Sequence, residues 1–175
     1  MVQMTREESI EFYKAHSKRL YNISLRIVRD SGEAEEIMQD TILKYITGPL
    51  GRMVAEGAVA VWLNRTCIRA SIDALRRRNR ERLFLDEYAS TEQELQAEEL
   101  SQEELPDMRA IRDAVESLRD PYRLVLSLIL IEGLDYEEIS EITGEREGTI
   151  RTQYSRARKM LSEVLKRTKK SFGRI

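Results

Sequence analysis

Residues 85–107, LDEYASTEQELQAEELSQEELPD, carry nine acidic residues and no Lys or Arg. A stretch with that charge and so few large apolar side chains cannot supply a hydrophobic core. It therefore divides the chain into residues 1–84 and residues 108–175, with an acidic linker between them, partly helical or disordered. Its default role is that of a solubilising spacer. Each flanking piece must build its own small core, and local periodicity indicates of what kind. Only 6% of the chain is aromatic, and no β-branched alternating run is visible. Apolar residues recur instead at spacings of three, four and seven, the helical period. The expected fold is all-α, two small helical domains joined by a linker.

The linker also corrects a misleading bulk number. The formal net charge is −2, which argues against a nucleic-acid partner until the distribution is considered. Between Arg146 and Arg174 there are ten basic residues against Glu147 and Glu163, and seven arginines stand between Arg65 and Arg82. Two basic modules flank an acidic tether.

The C-terminal module carries the more specific motif. Asp120-Pro121 is a helix-start signal, with Asp as cap and Pro in the first turn where its missing N–H costs nothing. The apolar run that follows ends at Gly133, a C-terminal cap residue. Before it, Ile111, Val115 and Leu118 share one helical face. Asp135 with Glu138 three residues on forms a capping box, Ile139 and Ile142 follow, and Gly144 supplies a turn. A second helix then places Ile150, Tyr154, Ala157 and Leu161 on one face. Its other face holds Thr152, Ser155, Arg156 and Lys159, with Gly148, Thr149 and Arg151 near its start and Gln153 among them. Two short helices joined by a tight turn, the second basic outside, make the helix-turn-helix layout for a DNA major groove. A basic outer face alone is usually just solvated. Hydroxyl and amide side chains among the arginines shift the balance, since those groups read base edges while Arg and Lys hold phosphates. The tail 166–175 is expected to fray.

In the N-terminal module Thr5 with Glu8 is a capping box. Ile10, Tyr13, Leu20, Ile23 and Ile27 give the first helix an apolar stripe, broken at Asp30-Ser31-Gly32. His16, the only histidine, has no partner ligands and reads as structural. A second helix over 32–46 turns Ala34, Ile37, Met38, Thr41 and Tyr45 inward. Glu35, Glu36, Gln39, Asp40 and Lys44 face out, a protein-contact surface rather than a metal site, because no His or Cys joins the carboxylates. Residues 47–57, with three glycines and a proline, form a loop. In the third helix Val61, Ile68, Ile72 and Leu75 form the buried stripe. Trp62, Arg69, Asp73, Arg76 and Arg80 form a second stripe, to which Arg65, Arg77, Arg78 and Arg82 add. Charge for phosphates beside a flat ring for a base suits a separated strand, although Trp62 serves equally well in a core.

One cysteine, Cys67, excludes an internal disulfide and fits a reducing cytoplasm. The N-terminus lacks a signal-peptide apolar segment. The longest apolar stretch, LVLSLILI at residues 124–131, has the length of a buried helix, so no direct membrane insertion is expected. No nucleophile–base pair, phosphate loop or metal cluster is present. The chain reads as no enzyme, with no cofactor and no small-molecule substrate.

Two signatures now stand in order: AEEIMQDTILKYI, a loop and AVWLNRTCIRASIDALRRRNR, then LRDPYRLVLSLILIEGLDYEEISEITGEREGTIRTQYSRARKML. Together they resemble a bacterial RNA polymerase sigma factor of the extracytoplasmic-function (ECF) group of the sigma-70 family, from about Phe12 to Leu165. The resemblance implies a region 2 domain over 1–84, a linker over 85–107 and a region 4 domain over 108–175. It implies that Glu35, Gln39, Asp40 and Lys44 dock on the clamp helices of core RNA polymerase. Trp62, Arg65, Arg69, Asp73, Arg76, Arg77 and Arg80 would melt and hold the minus-ten element, with the Gly-rich loop capturing a flipped base. Gly148, Thr149, Arg151, Thr152, Gln153, Ser155, Arg156 and Lys159 would read the minus-thirty-five element of promoter DNA. The linker would thread toward the RNA exit path, and an anti-sigma factor is implied as a further partner. Group members usually carry Asn where this chain has Arg69, often Arg where it has Gln153, and often Leu-Pro where it has Leu118-Arg119. Two other readings compete: a stand-alone helix-turn-helix regulator using only the C-terminal module, and a sigma mimic that titrates an anti-sigma factor.

Overall fold

Arg6–Val28 forms α1, and its start is the expected capping box. The Thr5 hydroxyl accepts from the Glu8 N–H at 3.2 Å, and the Glu8 carboxylate accepts from the Thr5 N–H at 2.7 Å. The chain leaves α1 through Arg29 in the left-handed region (φ 57), whose N–H donates to the Leu25 carbonyl. Asp30 then caps α2 (Ser31–Thr47) by accepting from the Glu33 N–H at 2.7 Å. A 3₁₀ turn at Glu56–Ala58 leads into α3 (Val59–Asp86). The remaining helices are α4 (Pro106–Glu116), α5 (Asp120–Leu130), α6 (Tyr136–Thr143) and α7 (Glu147–Phe172). This computed structural model describes residues 4–49, 53–86 and 106–172. The linker residues 87–105, the centre of the Gly-rich loop (50–52) and the end of the tail lie outside them. All described elements are helical, as the periodicity predicts.

The chain divides into two compact units, Met1–Glu99 and Leu100–Ile175. In the first, α1, α2 and α3 each pack on the other two. Leu20, Ile23, Ile27 and Val28 of α1, Ala34, Ile37, Met38 and Ile42 of α2, and Leu63, Cys67, Ile68, Ile72 and Leu75 of α3 make its core. The small polar groups inside are partnered. The Ser71 hydroxyl donates to the Cys67 carbonyl at 2.8 Å and lies 3.0 Å from the Ser24 hydroxyl, and the Cys67 thiol donates to the Leu20 carbonyl. Three expected core positions are not core. Ile10 and Tyr13 are exposed, and Val61 is 54% exposed. All three sit at the N-terminal ends of long helices. At the start of α1 it is Phe12 that turns toward a partner, stacking on Tyr45.

In the second unit α4, α5 and α6 all pack on α7. Leu118, Leu126 and Ala157 form a buried cluster with Tyr122, Tyr154 and Leu161 against it. Ile111 is 40% exposed, and Ala114 takes the buried position instead. Asp120 does not cap α5: Arg119 occupies the N-cap position without a side-chain cap bond. The Asp120 carboxylate is drawn to the buried Arg123 guanidinium at 2.7 Å, because an interior cation needs a counter-charge more than an exposed helix start needs a cap. The C-cap of α5 is Ile131 rather than Gly133; Gly133, in the left-handed region (φ 70), turns the chain two residues later, and Leu134 closes the turn by donating to the Leu128 carbonyl. α7 continues to Phe172, past the point where fraying was expected.

Candidate nucleic-acid interface

α6, the turn and α7 form the helix-turn-helix. Asp135 and Glu138 make a reciprocal capping box at 2.8 and 3.0 Å. Gly144 has φ 73, a conformation that L side chains adopt only at a cost, and its N–H closes on the Ser140 carbonyl at 2.8 Å. Ile139, Ile142, Ile150 and Ala157 are buried, which fixes the inner side of α7 as the spacing predicts. Gly148, Thr149, Arg151, Thr152, Ser155, Arg156 and Lys159 are all exposed, so the outer side is brought together as one face.

The details of that face are less free than the sequence suggests. Arg151 pairs with Glu147 at 3.3 Å and stands 4.8 Å over the Tyr136 ring. Tyr136 meets Tyr154 edge to face at 6.2 Å. The Thr152 hydroxyl donates back to the Gly148 carbonyl. Gln153 is half-buried and bonded to Glu145 at 3.1 Å. A groove runs along this side of α7, lined by Gly148, Thr149, Thr152, Gln153 and Arg156 and walled by Arg119, Pro121 and Tyr122 at the start of α5. A cationic groove of hydroxyls and an amide accepts phosphate and base edges.

On α3, Arg69, Asp73, Arg76 and Arg80 are exposed along one stripe, with Arg65 half-buried on its edge. Trp62 is half-buried at the head of the stripe and belongs to a row of rings. Trp62 lies 5.8 Å from Tyr45, Tyr45 stacks on Phe12 at 4.7 Å, and Phe12 meets His16 at 4.5 Å. The tryptophan is thus anchored on one side and open on the other. Arg77 stays exposed, 3.8 Å from Glu33.

Arg78 and Arg82 do not add to this face. At about 100° per residue each lies roughly 160° from Trp62. Arg78 instead turns to the corner between α1 and α2, donating to the Val28 carbonyl at 2.6 Å and to Glu33 at 3.3 Å. It is a structural clamp, with a carbonyl at a helix C-terminus as its main acceptor.

On α2, Glu35, Gln39, Asp40 and Lys44 are all exposed, with Gln39 donating to Glu35 at 3.1 Å. Sequence reasoning missed Leu43, which is 56% exposed in the middle of these polar groups. An apolar residue one turn beyond Gln39, on the outward side of an amphipathic helix, was the available signal. Among the described residues no group of His, Cys, Asp and Glu is arranged to hold a metal ion. No described helix is long and apolar enough to cross a membrane.

The first helical unit matches the sigma-70 region 2 family over residues 12–81, and the second matches the sigma-70 region 4 family over residues 108–161. The chain is 29% identical to the ECF RNA polymerase sigma factor SigE of Mycolicibacterium smegmatis, over 89% of this chain and 60% of that protein. It is 28% identical to the RNA polymerase sigma factor CarQ of Myxococcus xanthus, over 89% of this chain and 87% of that one. With the RNA polymerase sigma factor SigV of Bacillus subtilis the identity is 25%, over 83% and 84%. Among solved structures, the chain superimposes on the sigma factor RpoE of Bartonella quintana, crystallised in complex with the anti-sigma factor NepR. The TM-score is 0.65 at 25% identity, over 90% of this chain and 96% of that one.

Proposed function

The chain belongs to the sigma-70 family of RNA polymerase sigma factors, in its ECF group, and from that membership we propose how its surfaces divide the work of initiation. It binds core RNA polymerase and directs the enzyme to a limited set of promoters. The observation that carries this is the pairing of a region 2 match and a region 4 match, in that order, each falling on its own folded unit. A stand-alone DNA-binding regulator needs only the second unit. A mimic that titrates an anti-sigma factor needs neither the exposed arginine stripe of α3 nor the hydroxyl-rich face of α7.

In this proposal residues 1–84 act as region 2, 85–107 as the linker and 108–175 as region 4. The face of α2 bearing Glu35, Gln39, Asp40 and Lys44 docks on the polymerase, with Leu43 as its apolar centre. Trp62, Arg65, Arg69, Asp73, Arg76, Arg77 and Arg80 hold the opened minus-ten strand. Opening rests on differential binding: a base taken out of the stack costs a few kcal/mol, which stacking on a ring and phosphate pairing offset only in the separated strand. Gly148, Thr149, Arg151, Thr152, Gln153, Ser155, Arg156 and Lys159 read the minus-thirty-five element as duplex. The chemistry of RNA synthesis stays with the polymerase. The protein works in the cytoplasm, and an anti-sigma factor restrains it, as suggested by the anti-sigma-bound state of the RpoE structure it resembles.

The test is transcription in vitro with purified core enzyme on fragments of the source genome. Discrete transcripts that depend on the added protein are expected. Duplex binding without polymerase, and no protein-dependent transcript, would favour the stand-alone regulator and overturn the proposal.

A further inference from the structure

The turn between α6 and α7 does more than reverse the chain. Ser140 donates its hydroxyl to the Glu145 carbonyl at 2.7 Å, and the Glu145 N–H donates to the Thr143 hydroxyl at 3.2 Å. Thr143 in turn donates to the Ile139 carbonyl at 2.8 Å. Residue 145 is therefore pinned at both backbone groups, one residue after the left-handed Gly144. Its carboxylate accepts from the Gln153 side-chain nitrogen at 3.1 Å in partly buried surroundings. A carboxylate only accepts hydrogen bonds, so this contact fixes which end of the Gln153 amide faces Glu145. The nitrogen end is held by Glu145, and the carbonyl oxygen is turned away from it. Gln153, unlike Glu145, lines the groove beside Thr149, Thr152 and Arg156.

We infer that Glu145 is a positioning residue for promoter reading: it locks the Gln153 amide so that an acceptor oxygen meets the DNA, selecting a base whose major-groove edge offers an exocyclic amine. Adenine and cytosine present such an amine, whereas guanine and thymine present a carbonyl oxygen at the corresponding place. An unheld glutamine can flip and satisfy either edge. The lock converts an ambiguous reader into a discriminating one. This inference rests on the reading of α7 as the minus-thirty-five recognition helix.

The experiment uses the full-length protein with core polymerase and a promoter library randomised across the minus-thirty-five element, scored by the sequences of the transcribed templates. Gln153→Ala identifies the base pair that Gln153 reads, as the position whose preference disappears. In the wild type, removing the exocyclic amine from the preferred pair at that position, with purine in place of adenine or 2-pyrimidinone in place of cytosine on whichever strand carries it, is expected to cost about tenfold, the worth of a good base contact. Glu145→Gln, nearly isosteric but able to face either end of the amide, is expected to flatten the preference at that same position. Preferences at all other positions and the thermal unfolding curve should stay in place, which a merely structural role for Glu145 would not produce. A preference at the Gln153 position that survives removal of that amine overturns the inference. So does a Glu145→Gln profile identical to wild type, or a Gln153→Ala profile with no position changed. Transcription with no minus-thirty-five preference anywhere in the wild type overturns the inference together with the reading of α7 beneath it.

Discussion

Arg78 and Arg80 are two residues apart in one arginine-rich run, yet the structure ties the first to two neighbouring helices and leaves the second on the surface, and a stability measurement separates them. Arg78 donates to the Val28 carbonyl at 2.6 Å, at the last residue of α1, and to Glu33 near the start of α2 at 3.3 Å. Replacing it with Met keeps most of the apolar stem and removes both contacts. A hydrogen bond from a charged donor contributes about 1.5–3 kcal/mol. The Glu33 pair, with side chains 29% and 22% exposed, adds at most about 1 kcal/mol after solvent screening. Partial exposure lets water replace some of this, so the expected loss is about 2 kcal/mol. Arg80 is exposed on the outer stripe, and Arg80→Met should change stability by less than about 0.5 kcal/mol. The chain has one tryptophan, Trp62, so its fluorescence during urea unfolding reports the first unit alone. With a slope near 1–1.5 kcal/mol/M for a unit of this size, Arg78→Met should lower the midpoint by roughly 1.3–2 M and Arg80→Met should leave it in place. Equal midpoints for the two variants would refute the assignment of Arg78 as a clamp.

Further expectations concern the loop, the DNA faces and the docking surface. A Cβ on Gly48 would clash with the Lys44 carbonyl oxygen, whereas one on Gly57 meets nothing within 4 Å. Gly48→Ala should therefore lower the Trp62-monitored midpoint, and Gly57→Ala should not. Arg156→Ala should weaken holoenzyme binding to a duplex minus-thirty-five fragment and reduce the slope of log affinity against log salt by about 0.9, the signature of one lost phosphate contact. An unchanged slope would remove Arg156 from the phosphate-binding set. Leu43→Ser, on a surface residue, should leave unfolding unchanged while weakening co-purification with core polymerase. Undiminished capture would show that the exposed face of α2 is not the docking surface.

What the sequence disclosed depended on how local the cause was. The capping boxes at Thr5 and Asp135, the left-handed glycine at 144 and the stripe from Ile150 to Leu161 rest on contacts within a turn or two, and each stands as expected. Periodicity fails where it is asked whether a partner exists. Ile10, Val61 and Ile111 follow the helical period but are exposed, because among the described residues no neighbour buries that part of the helix. The arginine run misled for a different reason. Charge density suggests a single face, whereas helical geometry sets Arg78 and Arg82 opposite Trp62. Asp120 reads as the cap of its own helix, since nothing in the sequence marks Arg123 as an interior cation that takes the carboxylate. The hold of Glu145 on Gln153 spans the turn between two helices, eight residues apart, and only folding brings the pair together.

In the proposed initiation complex the outer stripe of α3 holds the separated minus-ten strand while α7 grips the duplex upstream. Permanganate reactivity of thymines in the minus-ten element reports strand opening, and nuclease protection of the minus-thirty-five element on the same complexes reports duplex binding. With core polymerase and the wild-type protein both signals should appear. With Arg76→Ala and Arg80→Ala combined, thymine reactivity should be lost at a concentration where minus-thirty-five protection persists. Undiminished thymine reactivity in that variant would show that the α3 stripe does not hold the opened strand.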